Sequence, residues 1–126
     1  MSEIILLQQI LDELYTKSGI TPSNDRELKI FLFFIETDAL KNKEKAEEYV
    51  STYTGIVDRN ENEVTILTAE RSTRSDLADL SVYNERLEAF NQDTQVWQKL
   101  IYQKNQNILV YKQLLEQVGI KKQMLT

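Results

Sequence analysis

The sequence predicts an all-α fold: an elongated antiparallel helical bundle or coiled-coil hairpin, with one short and two long helices. Apolar residues recur at alternating steps of three and four, the spacing of helices that bury one stripe. The 126 residues include only three glycines and one proline, which leaves little of the turn chemistry that a β fold requires. We expect a single all-helical domain over residues 1–126, with helices at roughly 3–17, 22–57 and 76–118, and with 58–75 irregular or helical.

The first predicted helix has its apolar face at Ile4, Leu7, Leu11 and Leu14. These residues lie at steps of three, four and three, so they share one side of a helix. Gly19 follows the last turn and suits the left-handed position that ends many helices. We therefore expect a short helix that stops at Gly19.

The second helix begins with clear start signals. Thr21 can cap the helix, Pro22 can occupy its first position, and Asn24 with Glu27 forms an alternative capping box. A stripe in steps of four and three then continues for about four heptads. Its members are Leu28, Leu32, Ile35, Ala39, Asn42, Ala46, Tyr49, Tyr53 and Ile56.

The connection to the third helix is harder to assign. Residues 58–63 have no apolar member, which predicts a solvated turn. Residues 64–68 are rich in β-branched side chains and are compatible with a short strand or a continuing helix. A lone strand has no pairing partner elsewhere in the chain, so we favour helix or irregular structure. Residues 72–76 offer capping side chains for a new helix.

The third helix has the longest regular pattern, and Gly119 is its predicted end. We expect Trp97 to be buried in its stripe, Lys104 to extend its charge out of the stripe to water, and Asn42 of the second helix to fix register. The stripe comprises Leu80, Tyr83, Leu87, Phe90, Thr94, Trp97, Ile101, Lys104, Ile108, Tyr111, Leu115 and Val118.

Composition excludes several function classes. The chain has no histidine and no cysteine, the usual ligands of zinc and the usual groups of Ser-His or Cys-His catalysis. Its net charge of −5 argues against a nucleic-acid partner. No targeting segment or membrane span is apparent. We expect a cytoplasmic protein, or one incorporated into an intracellularly assembled particle, without a cofactor and without membrane insertion.

Two acidic pairs give an enzymatic alternative. Glu44 and Glu47 are spaced i,i+3, and Asp76 and Asp79 repeat that spacing. This pattern resembles the MazG family of all-α nucleoside-triphosphate pyrophosphohydrolases, which use Glu-x-x-Glu followed by Glu-x-x-Asp. The resemblance implies Mg²⁺-dependent nucleotide hydrolysis, although Asp76 stands where that family has Glu. Glu44 and Glu47 also point away from the predicted stripe, and acidic pairs are common on solvated helix faces.

A surplus of apolar side chains indicates a protein interface. The segment 28–35 is apolar at every position except Lys29, whereas one neighbouring helix covers a stripe of only about 100°. Surplus apolar surface usually marks a contact with another protein or with a second copy. The interface residues that we predict are Ile30, Phe33, Phe34 and Tyr102.

Scattered segments faintly resemble the helical export chaperones of flagellar and type III secretion systems. The segments are 39–40, 69–71 and 105–109, with Leu114, Leu115 and Gly119 after them. The likeness is limited to these residues and assigns no family. We expect a non-catalytic helical protein-interaction module, acting as an adaptor, a chaperone or a structural component of a larger assembly such as a virion or secretion apparatus.

Overall fold

The computed structural model describes residues 2–19 and 25–125, with side chains described from residue 7 onward except at residue 18. Within these residues the chain forms three helices and no strand: α1 (Ser2–Ser18), α2 (Asp25–Arg71) and α3 (Leu77–Gln123). The predicted all-α fold with one short and two long helices is confirmed. The start signals at Thr21, Pro22 and Asn24 lie outside the described residues.

Two helix ends follow the predicted chemistry. Gly19 has a φ of 67°, and its N–H donates to the Tyr15 carbonyl at 3.1 Å, which is the left-handed glycine cap. Asp76 precedes α3, and its Oδ1 accepts from the Ala78 N–H at 2.9 Å. An Asp at this position satisfies a backbone donor that the first turn would otherwise leave without a partner.

The predicted turn at 58–63 is wrong, because α2 continues through it to Arg71. Val57 and Leu67 are buried on either side of the polar run, and Asn60 is buried within it. The spacing of three between Val57 and Asn60 keeps Asn60 on the covered side of the helix. A polar segment therefore remains helical because one of its members occupies the stripe and finds a hydrogen-bond partner on α3.

The β-branched residues 64–68 also lie within α2, which confirms the preference for helix over strand. Thr65 Oγ1 donates to the Glu61 carbonyl at 3.0 Å, and Thr68 Oγ1 donates to the Val64 carbonyl at 2.7 Å. Threonine hydroxyls commonly bond in this way to the preceding helical turn. Local hydrogen bonding thus accommodates residues whose intrinsic preference is for strands.

The predicted helix end at Gly119 is also wrong, because α3 continues to Gln123. Among the described residues only Gly19 has a positive φ, so Gly119 retains helical geometry. Continuation of the helix places Lys122 Nζ 2.8 Å from Glu36 Oε2 on α2. A glycine inside a helix costs only about 1 kcal/mol, which packing and this ion pair offset.

The structure divides into two compact units. The first comprises Met1–Ala46 and Gln106–Thr126, and the second comprises Glu47–Asn105. In the first unit all three helices contribute to one apolar core. The buried members of that core are Leu7, Leu11, Leu32, Ile35, Ala39, Leu114 and Val118.

The second unit contains only α2 and α3, packed against each other in opposite directions and joined by the turn at 72–76. On α3 the predicted stripe from Leu80 to Lys104 is partly buried throughout. Two helices cover each other on one side only, so large side chains in the stripe keep an exposed edge. Trp97 is accordingly half-buried, a correction to the prediction that it is buried.

Candidate functional site

The most distinctive surface of the first unit lies on α2, opposite its core. Ile30, Phe33 and Phe34 are 49%, 58% and 60% exposed, whereas Leu32 and Ile35 are 0% and 6% exposed. We call Ile30, Phe33 and Phe34 the α2 apolar surface. All three were predicted as interface residues. The helix therefore buries one apolar side and presents a second apolar side outward.

Helix α1 covers a different side of α2. The Tyr15 and Phe31 rings contact edge to face, with their centroids 5.4 Å apart, and Leu28 packs against the same core. The Phe33 and Phe34 rings instead contact each other at 6.0 Å. The predicted need of segment 28–35 for several neighbours is thus only partly met within the first unit.

Tyr102, the fourth predicted interface residue, belongs to the second unit. It is 66% exposed and lies on α3 in a shallow depression lined otherwise by polar side chains, which are Gln95, Gln98, Lys99 and Gln103. A tyrosine among glutamines offers a ring face and a hydroxyl to a polar partner, in contrast to the α2 apolar surface.

A polar cluster inside the second unit was not predicted. Asn60 is only 5% exposed, and its Nδ2 donates to Asp93 Oδ2 at 2.8 Å. Trp97 Nε1 donates to the same oxygen at 3.0 Å. The sequence signal was present, because Val57, Asn60, Val64 and Leu67 continue the alternating steps through the polar run.

The two polar residues that were expected to act within the stripes behave differently from each other. Lys104 Nζ lies 4.8 Å from the centre of the Tyr49 ring, so its ammonium contacts an aromatic face. Asn42 Nδ2 donates to Asp38 on its own helix at 3.2 Å, and that bond cannot fix the register of α2 against α3. In the second unit, Asn60 makes a part-buried hydrogen bond from α2 to α3 instead.

Within the second unit, Glu47 does not come together with Asp76 and Asp79. Glu47 lies about 36 Å from the C-terminal end of α2, by the rise of a helix over the intervening residues. Asp76 caps α3 just beyond that end, and Asp79 lies in the first turn of α3. Among the described residues, no group of three or more acidic side chains is placed to hold a metal ion. The geometry therefore gives no support to the magnesium-site alternative.

A second feature of the first unit is a groove where α1 meets the end of α3. It has a volume of about 340 Å³ and is lined by Leu7, Gln8, Leu11, Gln117, Ile120, Lys121 and Met124. Gln117 is 7% exposed, and its Oε1 accepts from the Leu7 N–H at 3.0 Å. Within the described part of the chain, its Nε2 has no hydrogen-bond partner. An unpaired buried amide donor costs about 1–3 kcal/mol.

The described helices include none with a sufficiently long apolar run to cross a membrane. Comparison of the chain with protein-family models, with curated protein sequences and with solved structures found no match.

Proposed function

We propose that the protein is a non-catalytic helical interaction module that binds another protein through the α2 apolar surface. The observation that carries this proposal is the exposure of Phe33 and Phe34 beside a buried core. These are large aromatic side chains, the type that dominates the centres of protein interfaces. Their spacing with Ile30 forms a helical stripe, which suits a partner helix laid along α2.

In an isolated chain, exposure of this apolar surface to water is unfavourable. The three side chains together expose on the order of 300 Å² of apolar area, which is within the range of the largest apolar patch on a typical monomer. Such patches are often functional. A stable interface covers about 800 Å² on each partner, so this surface would be its centre. The proposal places the protein in the cytoplasm, as an adaptor, a chaperone or a component of a particle assembled there.

Site-specific photo-crosslinking in the cells that naturally produce the chain tests the proposal. A photoreactive phenylalanine analogue replaces Phe33, and in a control protein it replaces Lys45, which is exposed on the same helix. We expect a discrete protein adduct from position 33 only, and its loss when Ile30→Glu is added. Light scattering of the purified protein then distinguishes a second copy from a different partner. Equal adducts from both positions, or none, would contradict the proposed function.

A further inference from the structure

The exposed side of α2 in the first unit continues beyond the α2 apolar surface toward the C-terminal end of the helix. Thr37, Lys41 and Glu44 are exposed there. They follow Ile30 and Phe33 in steps of three and four residues, so all five side chains share one side of the helix. The surface available to a partner is therefore a stripe of mixed chemistry rather than three apolar side chains alone.

This stripe has two distinct edges, because successive residues of a helix are about 100° apart around its axis. Thr37 lies near the middle of the stripe. One edge carries Lys29, Phe33, Leu40 and Glu44, all of them exposed, and the other carries Phe34 and Lys41. The first edge thus has a cation before its apolar side chains and an anion after them.

The two edges are complementary to themselves when a second copy of the helix runs in the opposite direction. A two-fold axis through Thr37 reverses the helix direction and places each edge opposite the same edge of the other copy. Residues at nearly equal distances before and after Thr37 then face each other. The facing pairs are Lys29 with Glu44, Phe33 with Leu40, and Phe34 with Lys41.

The charges also exclude the parallel arrangement. In a parallel pair of α2 helices each residue faces its own counterpart, so Lys29 would face Lys29 and Glu44 would face Glu44. Like charges placed opposite each other disfavour an association, whereas unlike charges favour it and set its orientation. The charge pattern of the stripe therefore selects a second copy in the antiparallel direction.

The area of the stripe is sufficient for a reversible contact. Leu40 is 42% exposed, and it raises the exposed apolar area of each chain to on the order of 400 Å². The aliphatic stems of Lys29 and Lys41 add to this area. Two copies would bury on the order of 1,000 Å² in total, which is the lower bound for a specific interface. Such an area fits a dimer that forms at micromolar concentrations.

We propose that the α2 apolar surface binds a second copy of the same chain, antiparallel about a two-fold axis at Thr37. This inference rests on the proposed function, because it names the partner of the same surface. Phe33 and Leu40 supply the apolar contact, the two pairs of Lys29 with Glu44 set the direction, and each Lys41 ammonium lies on the facing Phe34 ring. A two-fold contact is closed, so association stops at the dimer.

Sedimentation equilibrium of the full chain at micromolar concentrations tests the dimer and its charge pairs. We expect a reversible equilibrium between monomer and dimer. Lys29→Glu should weaken dimerisation about tenfold, because it replaces two attractive pairs with two repulsive ones. Adding Glu44→Lys re-forms both pairs with the charges exchanged and should restore dimerisation. Lys112→Glu is the matched control, because Lys112 is an exposed lysine on α3.

Chemical crosslinking tests the direction of the helices. The chain has no cysteine, so Lys29→Cys and Glu44→Cys can be made as single variants, mixed and treated with a short bismaleimide. We expect crosslinks between position 29 of one chain and position 44 of the other. In the antiparallel dimer the two copies of position 29 are about 24 Å apart by helical rise, beyond the reach of this reagent.

Three results would overturn the antiparallel dimer: a monomer at every concentration, no recovery in the doubly charge-reversed variant, or crosslinks mainly between identical positions. The photo-crosslinking experiment at Phe33 separates this inference from the proposed function. A monomeric chain that still forms an adduct with a different protein would overturn the dimer and support the proposed function. A monomeric chain that forms no adduct at all would overturn both.

Discussion

Asn60 on α2 donates a hydrogen bond of 2.8 Å to Asp93 on α3, and Asn60 is almost completely buried. Trp97, one turn further along α3, donates to the same carboxylate oxygen at 3.0 Å. A buried amide can satisfy its donor here only if the two helices keep one axial alignment. This cluster therefore specifies the register of the long helices in the second unit, a role that single buried polar residues also have in coiled coils.

Removal of the Asp93 carboxylate, which accepts both hydrogen bonds, should lower the stability of the protein. Asp93→Ala leaves the buried Asn60 donor unsatisfied, and we expect the free energy of unfolding to fall by about 1–3 kcal/mol. Adding Asn60→Leu removes that donor, so the double variant should recover part of the loss. A double-mutant cycle in urea measures the coupling, with Asp58→Ala as the exposed acidic control. Strictly additive effects would mean that the hydrogen bond contributes nothing to stability.

Because Trp97 is half-buried, its expected contribution to stability is smaller than that of a fully buried tryptophan. Replacing a fully buried tryptophan by alanine costs about 3–5 kcal/mol, and partial cover should reduce that to about 2 kcal/mol. Part of the loss comes from the Tyr53 ring, whose centroid lies 5.2 Å from that of Trp97. Val96→Ala is the neighbouring control, because Val96 is 55% exposed and should change stability by less than about 0.5 kcal/mol. Equal effects of the two variants would contradict the position of Trp97 in the stripe.

Periodicity was sufficient to predict the three helices and the covered face of α3, because burial of one stripe depends on the sequence spacing of apolar residues. It failed at 58–63 and at Gly119, where the deciding contacts come from another helix. Asn60 forms a hydrogen bond with Asp93, and the turn beyond Gly119 carries Lys122, which forms an ion pair with Glu36. A local pattern does not contain such distant partners.

The candidate surface was partly predictable for the same reason. The all-round apolar character of segment 28–35 indicated that some side chains would remain uncovered, and Ile30, Phe33 and Phe34 are those side chains. The groove at Gln117 was not predictable from the sequence, because the amide of Gln117 is positioned by a hydrogen bond from the Leu7 backbone, which is far away in sequence. The α2 apolar surface could be predicted from the types of side chain in the sequence, whereas the groove is formed only by contacts between α1 and α3.

The glycines offer a direct comparison of helix interior and helix end. Apart from the adjacent residues and the backbone of the same helix, no described atom lies within 4 Å of a Cβ added at Gly119 or Gly19, and of these two glycines Gly19 alone has a positive φ. Gly119→Ala should therefore raise the free energy of unfolding by about 0.5–1 kcal/mol. Gly19→Ala should lower it by about 1–2 kcal/mol, because alanine is strained in the left-handed region. If thermal unfolding showed Gly119→Ala to be destabilising, α3 would end where the sequence pattern first suggested.

Tyr15 makes stability depend on alkaline pH. Burial, and secondly the Asp12 carboxylate, raises the pKa of Tyr15 above its ordinary value. The folded state then retains the phenolic proton when the unfolded state loses it. The resulting stabilisation is complete below the unfolded pKa of about 10 and disappears as the pH rises through the folded pKa. The free energy of unfolding, measured in urea between pH 9 and pH 11.5, should fall more steeply with pH for the wild type than for Tyr15→Phe. Parallel plots of this free energy against pH would refute the linkage.

Substitutions on the two sides of α2 should differ in their effect on stability. Ile30→Glu with Phe33→Glu places charges where both side chains are about half exposed, so the protein should remain helical with a small change in stability, about 1 kcal/mol or less. Leu32→Ala empties a fully covered position between them in sequence and should cost about 2–5 kcal/mol. Circular dichroism during urea unfolding compares the two variants directly. Because the charged variant keeps its fold, any loss of partner binding that it causes reports on the surface alone. Unfolding of the charged variant would instead assign Ile30 and Phe33 to the core and remove the physical basis for an interface on this side of α2.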